Sequence, residues 1–135
     1  MSKRRVVITG LGLLSPVGNN VTESWNNIIQ GISGVKPITS FDISEFETKF
    51  AATVDITIDD FLDKKEIRRT DPFIQYGLVA SKECIEDSLI DLNDIDLSKF
   101  GVSIGSGIGG LGTIEENKIK LAENGPKKIS PFFVP

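Results

Sequence analysis

The sequence contains no histidine and only one cysteine, Cys84, in 135 residues. The missing histidines exclude any Ser-His or Cys-His nucleophile pair within the chain, and any imidazole metal site. The lone cysteine excludes an internal disulfide and a thiolate cage, and it fits a reducing compartment. Proton transfer would fall to carboxylates, lysines or Tyr76. Long apolar runs are also missing: none approaches the roughly 20 residues needed to cross a bilayer. Behind the basic start, Met1-Ser2-Lys3-Arg4-Arg5, the apolar stretch breaks at Gly10 and Gly12. It offers neither the h-region nor the small-residue cleavage site of a secretory signal. The expected location is cytoplasmic, with no membrane partner. Excess positive charge is absent too. The chain has 15 Lys and Arg against 19 Asp and Glu, a net charge of −4, which argues against a nucleic-acid partner. The remaining composition, 39% hydrophobic and 25% charged, suits one soluble globular domain large enough to bury a core.

What the sequence does have is glycine placed after apolar runs. Val6-Val7-Ile8-Thr9 reads as a buried strand, and it leads into Gly10-Leu11-Gly12. In a dinucleotide-binding turn the helix starts inside the glycine loop, with its amides on the pyrophosphate. Here Pro16 and Gly18 stand where that helix would run. No second strand ending in Asp or Glu follows about 20 residues on. The turn is therefore read as a backbone turn that needs small residues. The second glycine cluster runs from Gly101 to Gly112 and follows another strand-like stretch, Val102-Ser103-Ile104. It is either an anion cradle at a helix N-terminus or a place where another backbone or a ligand tail comes very close.

The helices are better marked. Asn20 is an N-cap with Glu23 three residues on, and Gly31 is a stop. A short strand is expected within 49–54 and a helix over 58–69. Asp71-Pro72 opens a helix to about Ser88. Its more buried face holds Phe73, Ile74, Gly77, Ala80, Ser81, Cys84 and Ile85, so Cys84 is read as a buried, inert thiol. A last helix is expected over about 112–123. The order of elements implies an α/β layered fold. The end, Phe132-Phe133-Val134, is too apolar for a finished domain, so the chain is expected to be an N-terminal piece of a longer protein.

"SKRRVVITGLGLLSPVGN", "FIQYGLVAS", "IGSGIGGL", "IEEN" and "KISPFFVP" occur in that order. In them the chain resembles the bacterial β-ketoacyl-acyl carrier protein synthases of the type II elongating class, over essentially its whole length. The resemblance implies a thiolase-like layered α-β-α-β-α fold, with residues 1–135 as the first part of its N-terminal half. It makes the first glycine turn scaffold, and it implies no nucleotide, metal, flavin or other cofactor. The implied reaction is a decarboxylative Claisen condensation between an acyl thioester and malonyl-acyl carrier protein, in fatty acid biosynthesis. It is carried out by a homodimer through a cysteine and two histidines. None of those three residues is in this chain, which is therefore expected to be inactive alone.

The resemblance also implies site residues. Ile108 and Phe133 match positions that line the acyl pocket, Phe133 across the dimer interface. Read without the family, both are ordinary core residues. Lys64, Lys65, Arg68 and Arg69 stack two cationic pairs on one helix side, and Lys127 and Lys128 add two charges. These six match the patch that docks the acidic acyl carrier protein. The plainer account is a solvated face balanced by Asp63 and Glu66. Two other readings of the chain remain: a non-catalytic partner subunit resembling a chain-length factor, and an independent binding module, which the apolar end disfavours.

Overall fold

The computed structural model describes residues 3–133. Met1, Ser2 and Val134, all used in the sequence reading, lie outside the described residues, as does Pro135. The chain divides into two compact units, one comprising residues up to Ile56 with Ala80–Ile90, the other Thr57–Val79 with Asp91 onward.

In the first unit, helix α1 spans Val21–Ile29. Asn20 Oδ1 accepts the Glu23 amide at 2.7 Å. The Glu23 carboxylate reaches back to the Asn19 amide, also at 2.7 Å, so the return bond of the expected capping box falls one residue early. Gly31 ends the helix at φ +70°, a backbone state glycine adopts at no steric cost. Strands β1 (Val35–Pro37) and β2 (Phe50–Ala52) pair antiparallel, Val35 opposite Ala52. β2 falls within the expected 49–54. β1 lies in a stretch that reads as loop, because three residues around a proline carry no alternation to detect.

The strand expected at Val6–Thr9 is not formed. Val6 and Ile8 are 89% and 82% exposed, and the described residues contain a single two-stranded sheet, β1 with β2. A β-branched run becomes a strand only when a neighbour takes its ladder bonds and its side chains. The glycine turn behind it is well anchored. The Leu11 amide donates to Asp87 Oδ2 and the Leu13 amide to Glu83 Oε2, both at 2.8 Å. A Cβ on Gly10 would lie 2.7 Å from the Ser88 nitrogen, and one on Gly12 2.8 Å from the Cys84 nitrogen. The glycines thus let one backbone approach another. The turn's amides face two carboxylates, a poor setting for a phosphate. Cys84 is half-buried rather than buried, with its thiol 3.4 Å from the Gly10 carbonyl oxygen. Glycine leaves no side chain to close over the sulfur.

In the second unit, the helix expected over 58–69 is two elements: a single 3₁₀ turn at Ile58–Asp60, then helix α2 at Lys64–Arg69. The division comes from Asp63. Its carboxylate accepts the Lys65 and Glu66 amides at 2.7 Å, while Glu66 reaches back to the Asp63 amide. That capping box starts a new helix. Helix α3, Pro72–Ser88, follows as expected from Asp71-Pro72 and continues into the first unit. Gln75 is buried, and its amide nitrogen donates to the carbonyls of Ile67 and Thr70. This satisfies groups that the end of α2 leaves open. Val79 is 4% exposed and packs as core.

The strand expected around Val102 and Ile104 is also absent. These residues are 78% and 65% exposed, and the physical reason is the same as at Val6. Helix α4 spans Leu111–Asn124 and closes on Gly125 at φ +75°. Among the described residues no helix is long and apolar enough to cross a membrane.

Candidate functional site

The second unit carries a cavity of about 460 Å³. Three pieces of chain build it: the last turn of α2 running into the start of α3, one side of α4, and the turn at 130–133. Phe73, Ile74, Ile114, Phe132 and Phe133 give it apolar walls, and Arg68, Arg69 and Lys120 add cations.

Each wall is held by identifiable bonds. Asn117, buried on α4, donates from Nδ2 to the Thr113 carbonyl at 2.8 Å, and its Oδ1 accepts the Ser130 amide at 3.3 Å. That pins the start of the 130–133 turn to α4. The turn then closes on itself, with Ser130 Oγ accepting the Phe132 amide and the Ser130 carbonyl accepting the Phe133 amide. The Arg69 guanidinium lies 5.2 Å from the centre of the Phe132 ring, within cation–π range. Asp71 Oδ2 accepts the Thr113 hydroxyl, and Lys120 pairs with Glu116 at 3.4 Å.

The glycine cluster at 101–112 is built around side chains. Gly110 leaves no room for a side chain: a Cβ there would fall within 2.8 Å of Asp71 Oδ1 and nearer still to Oδ2. Gly109, at φ +76°, faces the Phe73 ring at 3.6 Å. The close approach is thus made by a carboxylate and a phenyl ring. With Asp71 at that point, an anion there would meet like charge.

Lys64, Lys65, Arg68 and Arg69 are all exposed on α2, and Lys127 and Lys128 are exposed on the single 3₁₀ turn Pro126–Lys128. Among the described residues none of the six forms an ion pair. Asp63 and Glu66, the acids that would balance the α2 face, are engaged in the capping box. Arg68 and Arg69 sit in the last turn of α2, where the helix dipole favours positive charge. Of the acyl-pocket candidates, Phe133 lines the cavity beside these arginines, whereas Ile108 is 75% exposed and does not line it. The described residues offer no cluster of His, Cys, Asp or Glu able to hold a metal ion. Chemically the cavity can hold apolar groups, with negative charge favoured only at Arg68 and Arg69, because Asp71 and Glu116 also line it and Lys120 is paired with Glu116.

Two features were out of reach of sequence reasoning. Arg69–Phe132 and Asp71–Thr113 join residues distant in the chain, and no local pattern marks either. The Asp63–Glu66 box, by contrast, was written in the sequence.

The sequence profile of the family described as "Beta-ketoacyl synthase, N-terminal domain" matches residues 3–135. The "3-oxoacyl-[acyl-carrier-protein] synthase 2" of Vibrio harveyi is 48% identical over 136 residues, covering 100% of this chain and 33% of the relative. The protein of the same name from Coxiella burnetii is 51% identical with the same coverage. That from Staphylococcus aureus is 45% identical over 133 residues, 98% of this chain and 32% of the relative. Two solved structures are also similar, each at 26% identity. "The ishigamide ketosynthase/chain length factor" has a TM-score of 0.77 over 98% of this chain and 33% of its own. "AntDE:AntF (apo): type II PKS acyl-carrier protein in complex with its ketosynthase bound to the hexaketide" has a TM-score of 0.70 over 96% and 34%. The chain spans about a third of the length of the curated relatives it matches.

Proposed function

Because the chain belongs to the β-ketoacyl synthase family and carries the opening part of its thiolase-like α/β fold, we propose that it is the N-terminal portion of a 3-oxoacyl-acyl carrier protein synthase of fatty acid elongation. In the full-length enzyme an acyl group held as a thioester would be attacked by the carbanion left when malonyl-acyl carrier protein loses carbon dioxide. The nucleophilic cysteine and the histidines of that reaction would come from residues other than these 135, since the chain has no histidine. Residues 1–135 would contribute scaffold, a wall of the acyl pocket at Ile108 and Phe133, and a docking face for the carrier protein. A cytoplasmic homodimer that needs no cofactor completes the reading.

The docking role is carried by one observation. Lys64, Lys65, Arg68 and Arg69 are exposed and unpaired among the described residues, while the nearby acids Asp63 and Glu66 are committed to capping. Like charges at i, i+4 work against a helix, so an acidic partner accounts for their retention better than a solvated face does. One of the similar structures is named as a ketosynthase in complex with an acyl-carrier protein. The test reverses Lys65 and Arg68 to Glu in the full-length enzyme. Exposed pairs are worth about 0–1 kcal/mol each, so either change alone should raise the KM for carrier-linked substrates a few-fold and both together about tenfold. Raised salt should weaken the wild-type interaction in the same direction. Small thioester substrates, which lack the carrier, should be nearly unaffected. Equal losses with both substrate types would reject the docking role.

A second reading, a non-catalytic chain-length-factor partner, is favoured by the name of the ishigamide structure. The 45–51% identity to proteins named as synthases, against 26% to that structure, favours the enzyme.

A further inference from the structure

Arg69 belongs to two features at once. It is one of the four α2 cations, and its guanidinium lies over the Phe132 ring, 5.2 Å from the ring centre. Phe132 and Phe133 share one short turn whose start is pinned to α4 through Ser130 and Asn117. Residue 130 is pinned to α4, Phe132 lies against Arg69, and Phe132 and Phe133 both line the cavity.

We propose that Arg69 is a positioning residue that couples anion binding on α2 to the placement of the Phe132–Phe133 turn. A guanidinium can lay its flat face on a ring and still present N–H donors at its edges to a carboxylate or phosphate. The attraction to the ring depends on the net positive charge that the ring's quadrupole feels. An anion on the guanidinium edge reduces that charge, loosens the hold on Phe132 and frees the adjacent Phe133. Docking of an acidic partner would thereby be felt at the cavity wall. This coupling rests on the docking and pocket roles proposed above for what it would regulate, but the contact itself can be tested without them.

The experiment uses the full-length protein with Phe132 replaced by its 4-fluoro analogue and follows the fluorine resonance by NMR. In the free protein, Arg69→Gln should shift the resonance. Arg68→Gln, which removes an equal charge one residue away on the same helix, should leave it nearly in place. Arg69→Lys keeps the charge without the planar face and should shift it part of the way. Titration with inorganic tripolyphosphate should move the resonance of the wild type toward its position in Arg69→Gln, and should have no effect in Arg69→Gln. The acidic carrier protein should act in the same way as tripolyphosphate. A resonance indifferent to Arg69→Gln, or equally sensitive to Arg68→Gln, would overturn the coupling. So would tripolyphosphate that leaves the wild-type resonance unmoved. If the label responds to Arg69 and to tripolyphosphate while the carrier protein fails to bind, the coupling stands and the docking role alone is rejected.

Discussion

A methyl group added at Gly110 would fall inside the Asp71 carboxylate, and that carboxylate is not free to swing away, because it accepts the Thr113 hydroxyl. Gly110→Ala should therefore cost about 1–3 kcal/mol, the usual range for overpacking. The loss is measurable as a lower midpoint of denaturant unfolding. Adding Asp71→Ser should return part of it, since neighbours in contact are not additive. Gly112, two residues on and inside α4, has nothing within 4 Å of its would-be Cβ. Gly112→Ala should stabilise by up to about 1 kcal/mol through helix propensity alone. Opposite signs two residues apart would confirm that the cluster's glycines differ in role, and a loss at both would refute it. This distinction was not legible in the sequence, where the glycines between 101 and 112 look alike. It depends on which one faces a side chain from far along the chain. The close approach was foreseen there as one of two possibilities, and its partner was not.

At the scale of elements, legibility follows how local the cause is. α1 and α3 were readable because their start signals, Asn20 and Asp71-Pro72, act within a few residues. α2 had an equally local signal in Asp63 and Glu66, but apolar Phe61 and Leu62 make the preceding stretch look like the same helix. The strands expected at Val6–Thr9 and Val102–Ile104 need a pairing neighbour, which neither run has among the described residues, and there composition promised more than local physics could deliver. A helix of six residues is far below the length that is stable by itself, so α2 relies heavily on its cap. Asp63→Ala should cost about 1 kcal/mol, seen as roughly fivefold faster hydrogen exchange at the amides of 67–69. Unchanged exchange would show that packing, not the capping box, holds α2. The four cations displayed by α2 depend on the same cap for their arrangement.

At the scale of the whole molecule, the family was legible because glycines, caps and the Ser-Pro-Phe-Phe end are spread along the entire chain in fixed order. The cavity of the second unit was not, because its walls come from residues far apart in the chain: Phe133 lines it and Ile108 lies outside it. The chain as it stands should show no condensation and no malonyl decarboxylation. It has no histidine, and its one thiol is half-buried against the Gly10 carbonyl. Mass spectrometry of acyl- and malonyl-carrier protein incubated with it should show substrate only. Turnover that vanishes in a Cys84→Ser variant would contradict this. The unpaired run at Val6–Thr9 also has a consequence in time. At about 5–20 residues per second, the stretch that separates it from the next strand-like run at Val102–Ile104 takes roughly 5–19 s to follow it out of the ribosome. Throughout that interval an uncharged, β-branched stretch with open hydrogen-bonding groups is offered to every neighbouring nascent copy. The yield of folded protein should therefore fall as more ribosomes share a message, a quantity that no property of the finished molecule records.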